Sequence, residues 1–109
     1  ITVLHVVGEP SRMMGAATGI ALSDDSDERI RELAADVLDR AGEIADEYDT
    51  TVDGEIEVGS PARRILDRAE SFDAVVMGTH GGSLADRLLV GNVAHTVFRR
   101  SPVPVTVVR

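Results

Sequence analysis

The chain contains no cysteine. That removes disulfides, thiol nucleophiles and thiolate metal sites together. It contains no lysine either, so all eleven of its basic residues are arginine. A phosphate loop of the Gly-Lys type is therefore excluded. Also missing are a G-x-G-x-x-G dinucleotide fingerprint, a G-x-S-x-G nucleophile elbow and an H-E-x-x-H zinc motif. No apolar run approaches the roughly 20 residues needed to cross a bilayer, which excludes a membrane-spanning helix. Positive charge is scarce: nineteen acidic residues against eleven basic ones give a net charge of −8. Such a balance argues against nucleic acid or an anionic membrane as partner.

Acid excess without lysine points either to salt adaptation or to coding bias, and composition alone leaves both open. The 109 residues suffice for one domain with a single core. The chain opens on ITVLHVV with no basic flank and no cleavage site, so a signal peptide is not expected and a cytoplasmic location is.

Ile1 to Val7, rich in β-branched residues and without helical period, reads as a buried strand; His5 within it reads as a packed core residue. Arg12 to Ser26 reads as a long surface loop containing the Met13-Met14 pair and an acidic cluster. Asp27 to Tyr48 is the clearest helix. Ile30, Leu33, Ala34, Val37, Leu38, Ala41, Ile44, Ala45 and Tyr48 share one stripe, with Ser26 or Asp27 as N-cap. Charges fill the other face, where Glu28 repels Glu32 and Asp36 attracts Arg40. Gly54 to Val58 alternates in the manner of an edge strand with wet glutamates. Gly59-Ser60-Pro61 then starts a helix from Ala62 to Glu70 that buries Ile65, Leu66 and Ala69. A final strand runs from Val105 to Val108, its start placed on a sheet edge by Pro102 and Pro104.

The stretch Ala74 to Asn92 carries the strongest functional signal. Ala74-Val75-Val76-Met77 reads as a strand buried on both faces, and it breaks into Gly78, Gly81 and Gly82. Gly91 and Asn92 then open the amphipathic run Val93 to Phe98. A strand, a glycine loop and a helix start form the layout with which parallel α/β proteins hold phosphates. Glycine permits close backbone approach, and a helix N-terminus supplies unpaired donors with partial positive charge. Strand and helix alternate along the chain, which specifies a parallel sheet with helices on both faces. The order also reads as though it starts one βα unit late, because ligands in such sheets sit beside a central first strand.

With these residues the chain resembles the universal stress protein family over nearly its whole length. The glycine pattern G-x2-G-x9-G is met by Gly78, Gly81 and Gly91. Leu4-His5-Val6-Val7, Val58-Gly59-Ser60-Pro61, Met77-Gly78-Thr79-His80-Gly81 and the ending Pro102 to Val108 support it. The resemblance implies a three-layer, Rossmann-like fold of the adenine-nucleotide alpha-hydrolase type, with a mostly parallel five-stranded sheet. It implies that the first βα unit, which in the family carries an aspartate near the adenine or ribose, is absent from residues 1–109. An N-terminally incomplete single domain is the expectation; a partner filling the gap is the alternative.

Carried across by position, Val6 lines the adenine side of the pocket and Met77 packs near the base. Gly78 forms the exit from the strand, followed by Thr79 and His80, and Gly81 lets the backbone approach the phosphates. Gly91, Asn92 and Val93 offer backbone donors, with Arg87 in reach of a phosphate. Asn92 stands where nucleotide-binding members carry Ser or Thr. The implied ligand is ATP or AMP, with Mg2+ as a companion, and the implied assembly is a homodimer through Val103 to Val108. No catalytic residue is expected: Asp86 and Arg87 are thin equipment for phosphoryl transfer, so any ATPase is slow. The function implied is a nucleotide-binding regulatory module of the stress response. The alternative is a dimeric, stress-linked interaction protein without nucleotide.

Overall fold

The structure is a computed structural model and describes residues 1–8, 24–78 and 91–108. It falls into two compact units, Ile1–Ser60 and Pro61–Arg109.

In the first unit, strand β1 (Thr2–Val7) is followed by helix α1 (Asp24–Glu47) and strand β2 (Asp53–Val58). The strands pair in parallel, with Thr2 opposite Asp53 and Val7 opposite Val58. Parallel neighbours need a long crossover, and α1 supplies it. The helix starts three residues earlier than Asp27, so Ser26 and Asp27 are helical residues and not caps. A run rich in acidic residues suits the positive end of a helix dipole, which explains the extension.

The broad apolar stripe of α1 divides in two. Ala34 and Ala45 are buried and Leu38 and Ala41 half-buried, whereas Leu33, Val37, Ile44 and Tyr48 are exposed. The buried seam is narrow because small alanines bring the helix close to the strands. Arg40 donates through Nη1 to Glu43 Oε2 at 2.8 Å, one turn away, instead of to Asp36.

The helix ends in a Schellman closure. Thr50 N–H donates to the Ala45 carbonyl at 3.0 Å and Asp49 N–H to the Asp46 carbonyl at 3.1 Å. Asp49 takes the left-handed conformation this requires, with φ 54°.

Two strand expectations are corrected here. β1 is half-buried along its length, not buried, and β2 inverts its expected faces. Glu55 and Glu57 are half-buried while Ile56 and Val58 are exposed. By period two, Ile56 and Val58 share the side of Gly54, which Leu38 of α1 approaches. A helix seam built largely of alanine is too slim to cover that whole strand face.

In the second unit, helix α2 (Pro61–Ala69) leads to strand β3 (Val75–Gly78), helix α3 (Asn92–Arg100) and strand β4 (Val105–Val108). Pro61 opens α2, where its missing N–H costs nothing and its fixed φ suits the helix. Ala69 is buried and Ile65 and Leu66 are half-buried. β3 and β4 pair in parallel, Val75 opposite Val105 and Gly78 opposite Val108. Val75 N–H adds a bond of 2.9 Å to the Pro104 carbonyl, so the proline-bearing approach still joins the ladder through its oxygen.

β3 is not buried on both faces, because Val76 is 71% exposed. Val75 and Met77, on the opposite side of the pleat, are half-buried. The core of this unit is the seam of α3, where Val97 is fully buried and Ala94 nearly so.

The described residues thus form an α/β fold of parallel strands and helices, holding four strands as two parallel pairs. The loop expected over Arg12 to Ser26, with Met13-Met14, lies outside the described residues except for its last three positions, which are helical.

Candidate functional site

The site is assembled on the connection between β3 and α3. A chain leaving the C-terminal end of β3 must return along α3 to reach the start of β4, its parallel neighbour. The end of β3 and the beginning of α3 therefore bracket the edge of the pair where ligands bind in parallel α/β folds. Met77 and Gly78 close β3, Met77 half-buried and Gly78 exposed. Among the described residues, a Cβ built on Gly78 would come no nearer than 4.0 Å to another atom, the Val108 carbonyl oxygen.

At the other end of the connection the N-cap of α3 is Gly91, with φ −58° and ψ 154°. The cap is not Asn92, which is the first helical residue and is exposed. The first turn closes by a bond of 3.0 Å from His95 N–H to the Gly91 carbonyl, and Thr96 Oγ1 donates to the Asn92 carbonyl at 2.9 Å. Among the described residues, no side chain caps the helix. The backbone N–H groups of its first residues, Asn92 and Val93 among them, precede any intrahelical partner and carry the positive end of the dipole. A glycine cap brings no side chain of its own to this end, where an asparagine cap would have placed one.

Met77 and Gly78 thus end β3, and Gly91, Asn92 and Val93 stand at the beginning of α3. Val6 lies in the first unit, half-buried on β1 opposite Glu57. Thr79, His80, Gly81 and Arg87 lie outside the described residues. His95 is exposed on α3. Among the described residues, no group of three or more His, Asp or Glu side chains is placed to hold a metal ion, and no helix is long and apolar enough to cross a membrane.

In the sequence Gly59 is only the residue before a helix-opening Ser-Pro pair. The structure gives it more: φ is 135°, its position is buried, and its N–H donates to the Val7 carbonyl at 2.9 Å. That bond ties the carboxyl ends of β1 and β2 together at a backbone angle open to glycine. The sequence signal was present in Gly59-Ser60-Pro61, where a glycine precedes a helix-opening proline.

Comparison with known proteins places these observations in context. A family model described as the universal stress protein family matches residues 1–109. A universal stress protein from Methanocaldococcus jannaschii is 33% identical over 84 residues, covering 75% of this chain and 49% of its own length. The chain therefore spans about half of that relative. Universal stress protein YxiE from Bacillus subtilis is 28% identical over 116 residues, covering all of this chain and 78% of itself. Among solved structures, universal stress protein UspA from Lactobacillus plantarum superimposes with a TM-score of 0.74 at 26% identity, over 99% of this chain and 76% of that one. The hypothetical protein MJ0577, the subject of a structure-based assignment of biochemical function, gives a TM-score of 0.76 at 26% identity, over 98% of this chain and 73% of that one.

Proposed function

The chain belongs to the universal stress protein family, and from that premise we propose that it is an adenine-nucleotide-binding regulatory module. One observation carries the reading: α3 begins at a glycine with no side-chain cap, at the end of a glycine-marked connection from β3. The donor set fits a phosphate chain. Backbone N–H groups at Asn92 and Val93 face outward from the helix end, and an anion there also gains from the dipole. Gly78 adds no side chain where β3 ends, and Met77 offers a soft, adaptable surface to a base.

Asn92 replaces the hydroxyl residue typical of nucleotide binders in the family. Its amide still donates a hydrogen bond, without the compact hydroxyl. A magnesium ion would arrive with the nucleotide, held by its phosphates. The role is one of occupancy: whether nucleotide is bound is what a partner reads. Self-association through β4 belongs to the same proposal. Its strand pairs with β3 on one side, and an apolar strand edge invites pairing on the other.

Isothermal titration calorimetry with ATP and with AMP, each with and without magnesium, tests the reading. Wild-type protein should bind, Gly81→Val should not, and Asn92→Ser should bind more tightly. Absence of heat from the folded wild type, together with an unchanged Asn92→Ser variant, would leave the nucleotide-free interaction protein as the better account.

A further inference from the structure

The phosphate donors named above are backbone groups, but α3 brings one ionisable side chain to the same end. Its first five residues are Asn92, Val93, Ala94, His95 and Thr96, and of these only His95 can carry a charge. The position of His95 in the first turn is fixed by its own backbone, whose N–H donates to the Gly91 carbonyl at 3.0 Å. His95 stands three residues after Asn92 and four after the Gly91 cap, and residues at those spacings are neighbours on one side of a helix.

Helical side chains lean toward the N-terminus, so each covers the turn before its own Cα. For His95 that is the turn begun by Gly91 and Asn92. Four residues rise about 6 Å along the axis, a distance that an imidazole and one hydrogen bond can span. Gly91 has no side chain to compete for the place. Thr96 does not compete either, because its Oγ1 donates to the Asn92 carbonyl at 2.9 Å. This placement comes from the helix itself and holds whatever packs against its outer surface.

The first turn of α3 contains no acidic residue that would oppose an anion. A phosphate at the helix end would meet N–H groups along the axis and the His95 ring from the side. Neutral imidazole has one N–H to give; imidazolium adds a full charge and makes the bond charge-assisted. The other charged groups of the neighbouring elements are mostly basic. Arg99 and Arg100 follow on α3, and α2, which packs against it, carries Arg63, Arg64, Asp67 and Arg68. Strands β3 and β4 carry no ionisable side chain.

We propose, on the premise that this site holds a nucleotide, that His95 contacts its phosphates and that the protonated ring binds them more tightly. Histidine is the side chain whose charge changes between about pH 5 and pH 8. A phosphate beside the ring favours the charged form, so binding takes up a proton. Affinity therefore rises as pH falls through that range.

Isothermal titration calorimetry of the full-length protein with MgATP and with adenosine, at about pH 6 and about pH 8, tests this on wild type, His95→Gln and His95→Glu. From the higher pH to the lower, wild type should gain roughly tenfold in MgATP affinity beyond any gain shown by His95→Gln. The variant supplies the reference because the nucleotide's own phosphates titrate alike with both proteins. His95→Glu sets a carboxylate beside the phosphates and should weaken MgATP by about tenfold or more at both pH values. Glutamate in a first turn favours the helix, so that loss would not be a loss of fold, and thermal melts check it. Adenosine, which has no phosphate, should bind all three proteins alike. A His95→Gln variant with the wild-type pH dependence would overturn the role of His95 and leave the nucleotide reading standing. So would one that loses adenosine and MgATP affinity equally. Absence of heat from folded wild type with either ligand at both pH values would remove the nucleotide reading, and the role of His95 with it.

Discussion

Gly54 of β2 and Leu38 of α1 are in such close approach that a Cβ at residue 54 would lie 2.9 Å from Leu38 Cδ1 and 3.3 Å from Leu38 Cβ. The far methyl can rotate away, but the near carbon can retreat only if the helix moves. Gly54→Ala should therefore cost about 1 kcal/mol and Gly54→Val about 2–3 kcal/mol, the range for overpacking a closed seam. Urea denaturation checks this. Leu38→Ala removes the methyls but keeps the near carbon, so the double mutant should recover only part of the penalty, a coupling that independent sites would not show.

Asp49 holds a left-handed conformation at the end of α1. Glycine is the residue that adopts it without a Cβ penalty, so Asp49→Gly should raise stability by about 0.5–1 kcal/mol. Asp49→Val should lower it by more than that, because a branched Cβ crowds the following carbonyl. Thermal melts of the two variants should move in opposite directions from wild type.

Gly59 at φ 135° allows no comparable repair. Its angle lies beyond what side-chain-bearing residues commonly adopt, and its N–H is committed to the Val7 carbonyl. Gly59→Ala should cost about 1–3 kcal/mol. Hydrogen exchange at the Gly59 amide itself is lost as a probe of the mutant if the bond breaks, so global unfolding in urea is the measurement.

Val97 has no exposed surface, and its carbonyl accepts from Ser101 N–H at 2.9 Å to close α3. Val97→Ala removes two buried methyl groups and should cost about 2 kcal/mol by lost burial and cavity formation. Ser101→Ala should cost about 1 kcal/mol, because Ser101 Oγ both donates to the Val103 carbonyl at 2.7 Å and accepts from Val103 N–H at 3.2 Å. Differential scanning calorimetry of both variants tests the ranking.

Nucleotide binding has a stability signature that complements calorimetric titration. ATP at a hundredfold excess over its dissociation constant should stabilise the folded protein by about 2.7 kcal/mol. Gly81→Val should lose that increment even where its ligand-free stability matches wild type.

Much of this was legible in the sequence, for physical reasons that differ by element. The order of strands and helices was readable because α1 has a strong helical period and Pro61 marks a helix start by its chemistry. The strand β4 was readable because Pro102 and Pro104 stop and Val105 begins. What the sequence did not reveal was which side of each element would be covered. Val76 sits in an apolar run that looks buried on both faces, yet β3 exposes one of them. Leu33 and Val37 share a stripe with Ala34 and Leu38, and only the closeness of Gly54 decides which of them meets the sheet. Burial depends on neighbours distant in sequence, and periodicity within one element does not encode them.

At the candidate site the helix start was placed within one residue, because the amphipathic run begins where α3 does. The identity of the cap was not legible. Asn92 is a good capping residue in isolation, but Gly91 reached the required backbone angles first. Gly59 was visible as a turn, while its positive φ was not, since many glycines in turns have ordinary angles.

The registers of the two parallel pairs carry one more consequence, for the order of events in folding. Thr2 waits for Asp53, and Val75 for Val105. Neither pair is a hairpin, so no strand contact can form until the helix between its members has turned the chain around. The difference in loop-closure entropy between the two is small, about half a kcal/mol. The helices must therefore lead. The transition state should be sensitive to substitutions within α1 and α3 and nearly blind to those in the strand ladders, the reverse of what a hairpin-nucleated protein would show.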